Sequence, residues 1–205
     1  MVLSNGVKIT WKVPESEKSK KLQRLLSRKE KGTWKHKILK HRLQREHEKT
    51  TNIKKDIINK VCSLLYRYKL IAYQDDNFHA WHKTFLSKSI QHSSIGGITR
   101  RLSSNRRTPV KVVDRYIPTT QTCYSCGHRQ KVELSQREFK CEECRIEINR
   151  DLNSAMNMLK VVGVDCSEGL NPMPAEMEIE TLNKLLDNLP YVEYSIVEVG
   201  IPLFQ

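Results

Sequence analysis

Cys123-Tyr124-Ser125-Cys126-Gly127 and Cys141-Glu142-Glu143-Cys144, followed by Ile148-Asn149-Arg150-Asp151-Leu152-Asn153-Ser154-Ala155-Met156, form the stretch whose reading decides the fold. Each Cys-x-x-Cys puts two sulfurs on one tight turn. Two such knuckles, with fourteen residues between them, can close one tetrahedral zinc site on Cys123, Cys126, Cys141 and Cys144. The interval fits two short strands, 130–134 and 138–140, joined by Ser135-Gln136, so 123–147 reads as a zinc ribbon. A disulfide pair is the competing reading. With no secretory signal in view, the pattern reads as a metal or redox site. A closed four-cysteine site has no open coordination position, so the zinc is expected to be structural.

A helix is expected directly after the ribbon, over 148–165. Leu152, Ala155, Met156 and Leu159 fall at i, i+3, i+4 and i+7 and share one face. Asp151 lies one turn before Ala155, at the edge of that face. Two readings of it stand side by side: a helix N-cap and a metal-binding carboxylate.

Upstream, Asn5-Gly6 between Val2-Leu3 and Val7-Ile9 signals a two-residue hairpin. Val7, Ile9, Trp11 and Val13 alternate with polar residues as in a half-buried strand, which Pro14 ends. From Ser16 to Tyr68 the pattern is helical, broken at Gly32-Thr33. Leu22, Leu25 and Leu26 make a short stripe, and Ile53, Ile57, Val61, Leu64, Leu65 and Tyr68 a longer one. Cations crowd this long helical hairpin, with few acids among them before Glu46. Lys20, Lys21, Arg24, Arg28, Lys29, Lys35, Arg42 and Arg45 are candidate phosphate contacts, against a plain solvated face or a protein-binding one. Lys-rich surfaces touch phosphates rather than base edges, so sequence-tolerant binding is expected. Arg100, Arg101, Arg106 and Arg107 form a second basic cluster.

Between these clusters Leu70 to Tyr73 reads as a strand ending in Gln74-Asp75-Asp76. Alternation puts Gln74 and Asp76 on one face. Trp81 reads as core, and His79 and His82 lack a third ligand for a second metal site. Gly96-Gly97 offers close backbone approach or a simple turn, and Val110, Val112 and Val113 form a further strand. Beyond Asp165 the chain turns acidic, with Glu168, Glu176, Glu178, Glu180, Asp187, Glu193 and Glu198 against Lys184. An amphipathic helix is expected over 176–189.

The 205 residues suit one domain with an insertion, and 38% hydrophobic content supports a modest core. A formal charge of +13 points to a polyanionic partner. No apolar run approaches the roughly 18 residues of a membrane span, so a membrane partner is not expected. Six cysteines, four of them in a zinc pattern, imply a reducing compartment, with Cys62 and Cys166 as free thiols.

The ribbon followed by Asn149-Arg150-Asp151-Leu152-Asn153-Ser154-Ala155 resembles the signature of the TnpB family, transposon-encoded RNA-guided nucleases of the insertion-sequence OrfB type. The stretch from Val110 through Tyr116 and Pro118 to Cys123 is similar to that family's strand running into the ribbon. Tyr194-Ser195-Ile196-Val197-Glu198-Val199-Gly200-Ile201-Pro202 is similar to its C-terminal tail. The resemblance implies a fold: an α/β, RNase H-like (RuvC-like) domain with the ribbon inserted before its last helix. It also implies DNA and guide-type RNA as partners, Mg²⁺ or Mn²⁺ at a three-carboxylate site, and a bacterial or archaeal cytoplasm. Two departures stand out. The family's first carboxylate lies on a strand preceding the hairpin, and this sequence opens at the hairpin, so a RuvC-like domain lacking its first strand is expected. The family's second carboxylate is a Glu where this chain has Gln74, with Asp76 as a substitute one step along the same face. Asp151 matches the third.

The expected organisation is a partial RuvC-like domain with the helical hairpin at 1–122, the ribbon at 123–147, the last RuvC-like helix at 148–165 and an acidic tail at 166–205. The expected function is nucleic-acid binding by a transposon-associated protein that is not a competent nuclease by itself. One alternative is an active RuvC-like endonuclease, or one completed by a parent nuclease or by self-association. The other is a decayed insertion-element remnant.

Overall fold

The computed structural model describes residues 1–13, 16–85, 87–106, 108–133, 135–164 and 192–196. It is a mixed α/β structure of three two-stranded sheets and six helices among the described residues. The expected helix over 176–189, Cys166, Arg107 and most of the acidic tail lie outside them.

The N-terminal hairpin forms around Gly6, whose φ of +86° suits glycine. Its loop is one residue longer than the Asn-Gly signal suggested. Gly6 N–H donates to Leu3 and Leu3 N–H to Val7, while the Asn5 side chain accepts from Val7 N–H. Strand β1, Val7–Trp11, alternates as expected, with Val7 and Ile9 buried. One of its edges is bonded to the Met1–Leu3 arm. The other edge of β1 pairs antiparallel with 192–196, from Val7 opposite Ile196 to Trp11 opposite Val192. The tail segment Val-Glu-Tyr-Ser-Ile has the β-branched and aromatic content of a strand, which is why it can close that edge.

Two helices follow, α1 (Glu17–Ser27) and α2 (Trp34–Leu65). Ser16 caps the first through Ser19 N–H, and Thr33 caps the second through His36 N–H. Gly32, at φ +92°, turns the chain between them. The two stripes differ in depth. Only Leu22 is buried on α1, and Leu25 is exposed, whereas Ile57, Val61, Leu64 and Leu65 are buried at the C-terminal end of α2. Glu46 is the buried acid of the hairpin. Lys18 and Lys49 sit 3.2 and 3.0 Å from its Oε1, and their hydrogen bonds hold its carboxyl below the usual range.

Strand β2 (Ile71–Gln74) pairs parallel with β3 (Val110–Val113), with Ile71 opposite Val110 and Gln74 opposite Val113. The crossover holds α3 (Phe78–Trp81), α4 (Ser87–Ser93) and α5 (Ile95–Ser103). Trp81 is 40% exposed and packs edge-on against Phe78, so it does not fill the core. Gly97 lies inside α5, where an added Cβ would stand 2.4 Å from Ile58 Cδ1 of α2, so close approach explains this glycine. Gly96 meets open space. Ile57, Val61, Cys62, Leu65, Ile71, Ile98 and Leu102 form the main core.

The last described units are β4 (Glu138–Lys140), β5 (Glu147–Asn149), α6 (Arg150–Val161) and β6 (Val192–Ile196). A second core gathers Cys123, Phe139, Cys141, Ile148, Leu152 and Met156 between the cysteine turns and α6.

Candidate metal centre and its surroundings

Each cysteine pair sits at the tip of its own hairpin. In the first, Gly127 N–H donates to Cys123, Cys123 N–H to His128 and Gln130 N–H to Gln121. In the second, Arg145 N–H donates to Cys141 and Cys141 N–H to Ile146, and β4 pairs with β5. The residue after the second cysteine of each pair has positive φ, +78° at Gly127 and +59° at Arg145. The expectation of a strand over 130–134 paired with 138–140 is therefore corrected. Both β-partners of a hairpin flank the same knuckle, and 130–133 carries no strand. Side-chain bonds from Gln130 to Lys140 and Glu142 hold the two hairpins together instead.

This arrangement brings all four thiols within 4.8 Å of one another. Cys123 and Cys144 are 3.6 Å apart, as are Cys126 and Cys141. A tetrahedron with Zn–S of about 2.3 Å has sulfur–sulfur edges of about 3.8 Å, so the spacing fits one zinc ion. Burial pushes the Cys123 thiol up to about 12. At Cys141 burial also raises the thiol, but N–H groups of Cys144 and Glu143 and the neighbouring thiols outweigh it, to about 7. A cation would remove the remaining protons, and the backbone N–H groups would then serve the thiolates. Among the described residues this is the one group of three or more His, Cys, Asp or Glu placed to share a metal ion.

The carboxylates sit differently. Asn149 caps α6, its Oδ1 accepting from Asp151 and Leu152 N–H at 3.0 and 3.3 Å, so the capping reading of Asp151 is corrected. Asp151 is exposed in the first turn of α6. Asp75 is paired with Arg115. Asp76 borders a cavity of about 350 Å³ between the Met1–Ser4 arm, β2, α5 and α6. Burial, and then the Asp75 charge, raise its carboxyl. His79 and His82 are both exposed and belong to no such group.

Gln74 has a role that sequence reasoning missed. Its amide nitrogen donates to the carbonyls of Asp114, Arg115 and Ile117, at 3.1, 3.3 and 3.0 Å. Its Oε1 accepts from the Thr119 hydroxyl at 3.1 Å, and Thr119 in turn accepts from Ser154 at 2.8 Å. Asn157 donates to the Thr119 and Thr122 carbonyls, and Asn153 bonds Thr122 and Tyr124. Asn153, Ser154 and Asn157 are all buried on α6. The available signal was three polar residues inside a helix with an otherwise apolar face. Together they clamp α6 and the segment entering the ribbon onto β2.

On the basic surface, Lys21, Arg24, Arg28, Lys29, Lys35, Arg42 and Arg45 are exposed on or beside α1 and α2. Lys20 is half-buried and bonded to Glu17. Arg100, Arg101 and Arg106 are exposed at the end of α5 and just beyond it, with Arg101 bonded to Asn59. No helix among the described residues is long and apolar enough to cross a membrane.

Residues 98–158 match the family model described as Cas12f1-like, TNB domain. The matched stretch runs from α5 through β3 and the cysteine hairpins into α6. Over 183 residues the chain is 28% identical to a Streptomyces pristinaespiralis protein named "Putative RNA-guided DNA endonuclease", covering 84% of this chain and 45% of that one. Over 165 residues it is 30% identical to "Putative RNA-guided DNA endonuclease InsQ" of Escherichia coli (strain K12), covering 70% and 40%. The resemblance to the TnpB family is borne out. The chain spans less than half the length of these two relatives.

Proposed function

We propose that this chain is a TnpB-type nucleic-acid-binding protein, contacting DNA and guide-type RNA through phosphates, with its TNB domain held by structural zinc. The observation that carries this reading is the basic helical hairpin. Seven of its eight candidate cations are exposed, and its buried acid, Glu46, is already matched by Lys18 and Lys49. Charges left without protein partners are available for phosphates. Binding without catalysis by the isolated chain is supported by the commitments of the β2 end. Gln74 spends its amide on four hydrogen bonds and Asp75 on Arg115. RuvC-like cleavage would need divalent ions bridged by several carboxylates.

The test is anisotropy of labelled single-stranded DNA, duplex DNA and RNA, titrated with protein from low to high salt. Replacing Lys21, Arg24, Arg28 and Lys29 by Gln is expected to flatten the log–log salt slope. The loss is about 0.9 per duplex phosphate contact and about 0.7 per single-strand contact. An unchanged slope, or no binding at low salt, rejects the reading.

The cavity favours a second reading, an endonuclease completed by a partner chain. Ile71 and Asp75 donate toward β3, so the main chain of Ala72 and Gln74 faces the other edge of β2, beside the cavity. An extended segment entering there would run between β2 and the Met1–Ser4 arm, near Asp76. Mg²⁺- or Mn²⁺-dependent cleavage appearing only on co-expression with a full-length relative, and lost in Asp151→Ala, would favour it.

A further inference from the structure

The three tryptophans of the chain differ in what they touch. Trp11 is half-buried, and its indole N–H donates to the Ser93 carbonyl at 2.5 Å. Trp81 packs against Phe78 at 5.4 Å. Trp34 is 75% exposed, and its side chain has no intramolecular hydrogen bond or ring partner among the described residues. It is the first residue of α2, at the tip of the helical hairpin, just after the Gly32 turn. So large an apolar surface left in water is an informative departure from the usual burial of tryptophan.

Its surroundings say what would cover it. From Ser27 to Thr33 the tip holds Arg28, Lys29 and Lys31, the acid Glu30, and no other apolar side chain. Lys35 and Lys37 follow in the first turn of α2, which carries no acidic residue. None of these five cations forms an ion pair among the described residues. Cations in the first turn also oppose the helix dipole, a cost that a nearby anion relieves. A membrane-surface helix needs a continuous apolar face beside its cations, and this tip has a single aromatic plate. A flat ring within a set of free cations is instead the arrangement that stacks on a base while its neighbours hold the flanking phosphates.

We propose that Trp34 is a base-stacking platform for an unpaired nucleotide, and that the hairpin tip therefore distinguishes single-stranded from fully paired nucleic acid. The inference rests on the nucleic-acid reading above and adds a ligand class and a residue to it.

The experiment uses the full chain with a single-stranded oligonucleotide and a blunt duplex of the same sequence. Trp34→Ala is expected to weaken single-strand binding by about 5- to 150-fold, the range for loss of one aromatic stack. It should leave the salt slope unchanged, because no phosphate contact is removed. Trp34→Phe should retain most of the affinity, and duplex binding should change little in either variant. Tryptophan quenching by the single strand should be seen in the parent protein and be largely lost in Trp34→Phe. A thermal melt matching the parent's would confirm that the exposed site is not needed for folding.

Unchanged single-strand affinity in Trp34→Ala overturns the proposal, as does an equal loss for duplex. Quenching by phosphatidylserine vesicles but not by oligonucleotide overturns it as well. If the Lys and Arg variants flatten the slope while Trp34→Ala is neutral, only the stacking role fails. If the parent does not bind at low salt, the underlying reading fails with it.

Discussion

Gln74 shows how far a single residue's meaning depends on what surrounds it. At the position where the family resemblance implies a metal-binding Glu, its amide donates to three carbonyls and accepts one hydroxyl. Gln74→Glu is therefore expected to destabilise the fold rather than rebuild a cation site. The carboxylate would lose the donor side of the clamp and face three carbonyl oxygens. A cost of about 1–3 kcal/mol is expected, seen as a lower urea midpoint with an unchanged slope. Its own pKa should rise in the folded state, so the deficit is full above that folded pKa. It should shrink as pH falls through it, once the protonated acid donates again. A variant as stable as the parent would mean the clamp contributes nothing. The four cysteines were readable because their spacing is itself the signal. The clamp was not, because Gln74's partners lie about 40 residues away at 114–119 and only the parallel pairing of β2 with β3 brings them together.

Elements with local signals were read well. The helical run that opens at Ser16 breaks at Gly32-Thr33, and Val110–Val113 is a strand. Elements defined by long-range pairing were read less well. The segment over 130–134 looked like a strand, but its partner positions were taken by β5, since each knuckle closes its own hairpin. The pairing of β1 with 192–196, from almost the other end of the chain, had no local signal. A prediction belongs to this pairing. A chain ending at Val164 would expose the main-chain groups of Lys8 and Thr10 along β1. Concentration-dependent self-association is expected, measured by light scattering coupled to size exclusion. Replacing Thr10 by Pro in the truncated chain should suppress it, since proline removes an edge donor. A truncated chain that stays monomeric at high concentration would show that β6 is not needed to protect that edge.

At the scale of the whole molecule, two cores are joined through α6. The main core rests on α2, α5 and β2, and the second on the cysteine hairpins and one face of α6. Between them run the bonds from Asn153, Ser154 and Asn157 to 119–124, and from Gln74 to 114–119. This division predicts what metal removal does. Structural zinc supplies folding energy of order 10–16 kcal/mol in small peptides, so the hairpins should not stay folded without it. A chelator should therefore melt the ribbon and loosen α6. The 32-residue α2 is anchored in the other core by its C-terminal end, so most helical ellipticity should survive. Near-UV signal from Tyr124, which packs against the second core, should fall in parallel with bound zinc. Acid should do the same as chelator. Cys123 holds its proton up to about 12 in the absence of metal, so protons compete with zinc for the thiolates and retention should drop as pH falls. Loss of all ellipticity with the zinc would make the two cores a single cooperative unit. No change in near-UV signal on complete zinc removal would mean that packing around Phe139 and Leu152 holds the hairpins by itself.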